Sequence, residues 1–229
     1  QVSGCAFPAL QSEESSFCFL PILWNYGGSL AQIDSPAGRQ AFGFLKQLAE
    51  NKALSEDNVN MTISDIAWEF ANGNIAMAFL TSGYENEIRE ENPDLHFATT
   101  KLPCGENSIT ISGGEVLTVT CAEHEKEARE FVRFMEQPEQ TEVYLDSMGY
   151  LAARRDLLKK QIQTDPAKKT YWSYLKQAKF REIEPYWPSL SMEVAESINR
   201  VILGEDTQDE LEQLSERISR IRRAKYEKE

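Results

Sequence analysis

Phe70-Ala71-Asn72-Gly73-Asn74-Ile75-Ala76-Met77-Ala78-Phe79-Leu80-Thr81-Ser82-Gly83-Tyr84 contains three structural events in a row. A helix that begins near Thr62, where Thr62 and Asp65 have capping-box spacing, carries Ile66, Ala67 and Phe70 on one face and stops at Asn72-Gly73. Ile75 to Leu80 is a short apolar run, predicted as a buried strand. The strand delivers a loop of small polar residues, a glycine and an aromatic, Thr81 to Tyr84.

Working outward, the same alternation recurs. Upstream, Phe17 to Trp24 is a buried apolar segment, strand or helix, closed by Asn25, Tyr26, Gly27 and Gly28. Asp34, Ser35 and Pro36 open a helix with Ser35 as N-cap and Ala37, Ala41, Phe44, Leu45 and Leu48 as its apolar face. Downstream, His96 to Leu102 alternates as a strand that Pro103, Cys104 and Gly105 break. Ile109 to Cys121 is expected as strand, glycine pair (Gly113, Gly114), strand. Helices follow over Glu125 to Met135 and near Pro138 to Met148. The remainder is helical and aromatic, with Met192 to Leu203 amphipathic. A final helix capped by Thr207 and Glu210 carries Leu211, Leu214, Ile218 and Ile221. Strands alternating with helices predict an α/β architecture with a mixed or parallel sheet.

Composition narrows the function. At 229 residues, with 41% hydrophobic and 27% charged residues, the chain can bury a real core. No stretch reaches the ~20 apolar residues of a membrane span. A formal charge of −13 repels phosphate backbones, which argues against a nucleic-acid partner. Four cysteines without CxxC spacing and two histidines give no metal-ligand set, and no cofactor is expected. Cys5 and Cys18 are candidates for a disulfide in an oxidising compartment, a pairing that sequence alone leaves open. Val2-Ser3-Gly4-Cys5 looks like the tail of a lipoprotein cleavage signal, but a single residue precedes it in place of the positive and apolar regions.

Catalytic motifs are missing. Ser112-Gly113-Gly114 lacks the leading glycine and the spacing of a nucleophile elbow, and there is no phosphate loop or dinucleotide fingerprint. Thirty-seven acidic residues leave a glycosidase carboxylate pair open without selecting one. What recurs is a glycine beside an aromatic in a loop: Trp24 with Tyr26 and Gly27, Tyr84 after Gly83, and Trp187 between prolines. Sugars present an apolar C–H face and a rim of hydroxyls, which such loops suit. Each of these aromatics is equally readable as core. Trp68 and Trp172, inside amphipathic helices, are expected in the core.

The order of these features resembles the extracellular solute-binding proteins of carbohydrate ABC importers, the maltose-binding-protein-like family. Four segments carry the resemblance: Trp24 to Gly28 before Asp34-Ser35-Pro36; Phe70 to Met77 leading to Gly83-Tyr84; Gly113-Gly114 before Leu117 to Val119, with Glu127, Ala128 and Phe131 in the next helix; and Val201 to Gly204 before a closing helix. The resemblance implies a periplasmic-binding-protein type II-like α/β fold and corresponds to the later part of a family member. Residues 1–103 and 151–229 would form the second, C-terminal lobe, and 104–150 a segment returning to the first, N-terminal lobe, whose start is absent. The apolar face of that segment would then be exposed, rearranged or covered by another chain. The implied ligand-binding residues are Trp24, Asn25, Tyr26, Gly27, Ser82 and Tyr84 from one lobe and Gly113, Gly114 and Glu115 from the other, with Trp187 as a stacking aromatic. The implied function is non-catalytic capture of a carbohydrate by hinge closure and delivery to ABC permease subunits, outside the cell membrane, anchored as a lipoprotein. A polyamine, metal or phosphate receptor, a glycoside-processing enzyme, and a partner-binding protein built on the C-terminal helix are the alternatives.

Overall fold

A computed structural model describes residues 2–103, 109–120 and 122–223; the expectations placed on Cys104, Gly105 and Cys121 lie outside these residues. Helices dominate. α1 (Glu13–Asn25) resolves the strand-or-helix alternative at Phe17 to Trp24 in favour of helix, with Glu13 and Glu14 complementing the positive end of its dipole. α2 is Pro36–Glu50, capped by the Ser35 hydroxyl, which accepts from the Gly38 amide. α3 is Ile63–Ala71, with both bonds of the Thr62/Asp65 capping box formed. α4 (Tyr84–Glu91), α5 (Glu125–Met135) and α6 (Pro138–Met148) follow. Then come α7 (Arg155–Thr164), α8 (Pro166–Leu175), α9 (Trp187–Ile202) and α10 (Thr207–Arg223).

The expected strands shrink. A two-residue β1 (Thr110–Ile111) pairs in parallel with β2 (Ala178–Lys179), and this is the one ladder among the described residues. Ile75 to Leu80 is not a continuous strand. Its backbone makes parallel bridges at Ile75 with Ser3 and at Ala78 with Ala6, a three-residue step on both sides. A regular ladder advances in twos, so the step breaks the alternation and turns Met77 out to solvent at 63% exposure. Cys5, between the bridges, donates its amide to Ala53 O instead. Cys5 is thus a core residue of a paired segment; it and Cys18 are free thiols. His96 to Leu102 and Val116 to Thr120 run without strand pairing.

The main core lies between α1, α2, α9 and α10. Phe19 and Phe42 meet at 4.4 Å between ring centroids, alongside Leu45, Leu190, Val194, Ile198, Leu211 and Leu214. The α2 stripe centres on Gly38, Ala41, Phe42 and Leu45, a slight rotation from the expected face that brings in Phe42 and leaves Ala37 at the edge. Trp68 is not core. Ile63, Ile66, Ala67 and Ala71 occupy the buried face of α3, and Trp68, one position beyond Ala67, stands 52% exposed. α9 begins at Trp187, five residues before the expected start, because Pro188 in the first turn is compatible with a helix N-terminus.

Where ladders are missing, asparagine amides take their place. Asn58 accepts from Phe7 N at 3.0 Å and donates to Phe7 O at 2.6 Å. Asn25 does the same to Ile109, with both bonds at 2.8 Å. Asn199 donates to Ala9 O and Val59 O. Asn58 and Asn25 each supply one donor and one acceptor, which is what an unpaired peptide unit requires, whereas Asn199 gives both of its bonds as a donor. At the other extreme, α5 and α6 contribute no buried residue, and Val116, Leu117, Phe131, Phe134 and Val143 lie exposed along residues 109–148.

Candidate functional site

Four chain segments converge at the N-terminal end of α1. Glu14, in the first turn of α1, accepts a 3.1 Å bond from Ile63 N, the first amide of α3, tying two helix N-termini together. Ser64 in that turn of α3 shares a 3.1 Å hydrogen bond with the hydroxyl of Tyr84, the first residue of α4. Gly83 lies directly against Tyr150: a Cβ added there would sit 2.7 Å from the Tyr150 ring. Gly113 lies over the Phe17 ring in the same manner, at 3.3 Å. Glu115 then closes the group, its Oε2 accepting from the Tyr144 hydroxyl at 3.0 Å and its Oε1 from the Tyr150 hydroxyl at 3.2 Å.

The electrostatics keep the phenols protonated. Burial raises the Tyr84 and Tyr150 pKa values, and the Glu115 carboxylate adds to the rise at Tyr150. At Tyr144 the hydrogen bond to Glu115 is the main cause. Burial, with Glu14 nearby, pushes the Cys18 thiol up to about 12. Near pH 7 this corner therefore presents hydroxyl donors, carboxylate acceptors and aromatic faces, with no reactive thiolate. Among the described residues, no group of three or more His, Cys, Asp or Glu is placed to hold a metal ion.

The residues expected from the sequence fall into separate places. Tyr84, Gly113 and Glu115 come together here, with Ser82 and Gly114 beside them in the chain. Trp24 to Gly27 lie at the opposite end of α1, ten residues from Glu14 and so about 15 Å along the axis. There Gly27, at φ +81°, and Gly28 form the Schellman closure of α1, donating to Trp24 O and Leu23 O. Asn25 is 3% exposed and occupied by Ile109, while Trp24 packs on the main core beneath Lys179. Trp187 is 8% exposed and donates its indole N–H to Glu13 at 2.8 Å, with the Arg181 guanidinium 5.0 Å from its ring centre. Phe17, Tyr144 and Tyr150 were missed. Gly149-Tyr150 repeats the Gly83-Tyr84 pattern and was findable on the same grounds; Phe17 and Tyr144 carry no local signal.

The helix-rich α/β architecture, with its short parallel pairings, defines the class: a periplasmic-binding-protein type II-like fold. It superposes on maltose-bound MalE3 of T. maritima with a TM-score of 0.81 at 16% identity, covering 96% of this chain and 61% of that one. An ABC transporter solute-binding protein from Thermotoga lettingae bound with α-D-tagatose gives 0.80 at 18% identity, covering 96% and 59%. UgpB of Mycobacterium tuberculosis in complex with glycerophosphocholine gives 0.76 at 18%, covering 98% and 58%. A curated Brucella abortus (strain 2308) protein that carries the name of a binding protein is 19% identical over 206 residues, 86% of this chain and 50% of its own length. The chain therefore spans about half the length of the curated relatives it matches. Residues 3–170 match the family described as bacterial extracellular solute-binding protein, and the chain belongs to that family.

Proposed function

We propose that this chain is part of the solute-binding component of an ABC importer and that the solute is a carbohydrate, most simply an oligosaccharide. The observation that carries this reading is the junction at Tyr150, where Ser82-Gly83-Tyr84 and Gly113-Gly114-Glu115 meet among phenols, carboxylates and helix N-termini. Flat aromatic surfaces with a few fixed neutral and anionic partners are what a sugar's C–H face and hydroxyl rim require. Residues 1–103 and 151–229 form one lobe, and 104–150 return to the other lobe, which would cover their exposed apolar side chains. Ligand bridges the lobes, raises the closed population and is passed to membrane permease subunits without any bond being made or broken. The protein works outside the cell membrane, held there as a lipoprotein; among the described residues no helix is long and apolar enough to cross a membrane.

The test is a thermal-shift and tryptophan-fluorescence screen of the full-length gene product against mono- to oligosaccharides, with spermidine, divalent metals and phosphate as controls. A ligand at ~100 times its Kd stabilises the bound state by about 2.7 kcal/mol, which such a screen detects. The expected result is a sugar-specific shift that Tyr84→Ala abolishes and Trp24→Ala retains. A response to spermidine, metal or phosphate alone, or turnover of a glycoside, overturns the carbohydrate reading.

A further inference from the structure

Charge is unevenly spread along this chain. Residues 154–181 hold nine lysines and arginines against two acidic residues, in a sequence with 24 basic and 37 acidic residues and a formal charge of −13. This basic stretch builds α7 and α8, which pack on each other as a hairpin. Part of it is already engaged. Arg154 pairs with Asp156, Lys160 with Glu142 and Arg181 with Glu13, while the buried Lys168 donates to the carbonyls of Gly149 and Tyr150. Arg155, Lys159, Lys169 and Lys176 are exposed and have no carboxylate partner among the described residues.

These free cations border a groove. It is open, about 600 Å³ in volume, and lined by Ile162, Gln163 and Thr164 at the end of α7 and by Lys169, Trp172 and Lys176 on α8. Trp172, expected in the core, is half-buried here, with the Lys176 ammonium 5.8 Å from its ring centre. Positions 169, 172 and 176 share one face of α8, and two turns of helix place Lys169 and Lys176 about 10.5 Å apart along the axis. On α7, Arg155, Lys159 and Gln163 follow one another at four-residue spacing and reach the groove at Gln163.

A half-buried tryptophan among unpaired cations has the composition of an interface hot spot for an anionic partner. An extended peptide rises about 3.3 Å per residue, so about four residues span the distance between the two lysines, with a carboxylate at each end and an apolar side chain between them for Trp172. The strongly acidic remainder of the chain repels such a segment, which steers it to the hairpin. A bilayer is matched less well. Among the described residues, none of the exposed large apolar side chains lies on α7 or α8, whereas a helix lying on a membrane presents them.

We propose that the α7–α8 hairpin is a docking surface for an extended acidic segment of a partner protein, whose carboxylates pair with Lys169, Lys176 and the Arg155–Lys159 row while an apolar side chain packs on Trp172. The proposal is independent of the carbohydrate reading.

Fluorescence anisotropy on the full-length gene product tests it, with labelled decapeptides that carry Asp or Glu on both sides of a Leu, Ile or Phe, and with a second set in which Lys replaces the acids. The acidic set should bind and the basic set should not, and binding should weaken as salt rises from about 50 to about 300 mM. Lys169→Glu combined with Lys176→Glu should weaken it roughly 10- to 100-fold, and Trp172→Ala roughly 10-fold or more. Lys52→Glu combined with Lys126→Glu, an equal charge change at exposed positions outside the hairpin, should leave it within twofold. An acidic set that stays unbound, or binding that Lys169→Glu with Lys176→Glu leaves within twofold, overturns the proposal. Adsorption to phosphatidylcholine vesicles with about 30% phosphatidylglycerol, lost in that double variant while the peptides stay unbound, overturns it in favour of a membrane surface.

Discussion

Asn25 and Asn58 show how much one side chain can hold. Each brackets a single peptide unit, Asn25 on Ile109 and Asn58 on Phe7, so truncation strands a donor and an acceptor at once. Asn25→Ala should lower unfolding stability by roughly 2–3 kcal/mol in urea denaturation, and Asn58→Ala, whose amide is fully buried, by at least as much. An exposed surface asparagine changed to Ala should stay within about 0.5 kcal/mol. At the start of α3, Thr62→Ala removes the capping box and should cost about 1 kcal/mol. The hydrogen bonds from Thr62 hold the Asp65 pKa below its ordinary 3.8. That stabilisation is present above the ordinary value and is lost as pH falls through the lowered one. The difference between wild type and Thr62→Ala should therefore narrow below pH ~4.

For the elements, two glycines of α2 make a paired test. Helix propensity favours Ala over Gly by about 1 kcal/mol at an interior position. Gly43 has open space where a Cβ would go, so Gly43→Ala should stabilise by up to that amount in thermal denaturation. Gly38 does not: a Cβ there would stand 1.7 Å from Ile33 O, a backbone atom that cannot yield cheaply. Gly38→Ala should instead destabilise by roughly 1–3 kcal/mol, the usual range for overpacking. The same contrast explains which elements the sequence discloses. α5 and α6 appear at the expected residues because their caps and breakers, such as Pro138 and Gly149, are local. Ile75 to Leu80 reads as a strand on its apolar run, yet its conformation is decided by Ser3 to Ala6, 72 residues away in sequence, and by Ala53 capturing the Cys5 amide. The candidate site divides in the same way. Gly83-Tyr84 and Gly113 to Glu115 are legible as loops, whereas Phe17 and Tyr144 enter only because folding delivers them.

Taken as a whole, the molecule should be alkali-sensitive. Cys18 moves from 9.0 to about 12 on folding, and Tyr84, Tyr144, Tyr150 and Tyr171 are all raised as well. An acid whose pKa is raised by folding holds its proton in the native state while the unfolded chain releases it, so stability falls as pH climbs from about 9 towards 12. Urea midpoints at pH 8, 9, 10 and 11 should decline steadily, and Cys18→Ala should flatten the decline. A second property belongs to the residues 109–148 region. With Val116, Leu117, Phe131, Phe134 and Val143 exposed, the 229-residue chain should bind a hydrophobic dye, and Phe131→Ser combined with Phe134→Ser should remove most of that signal without lowering the melting temperature.

The asparagine seam also sets which part of the molecule would answer to ionic strength. A side-chain amide is uncharged, so the joints at Phe7, Ala9 and Ile109 keep their strength as salt is added. α10 is fastened differently: Glu210, 3% exposed, takes Ser197 and Arg217 at 2.6 and 2.5 Å, and Arg217 reaches Glu193 at 2.7 Å. These contacts rest on paired charges, which dissolved salt screens. Hydrogen exchange followed up a salt series should show the amides of α10 losing protection first, while those of Phe7 and Ile109 persist until the core itself gives way.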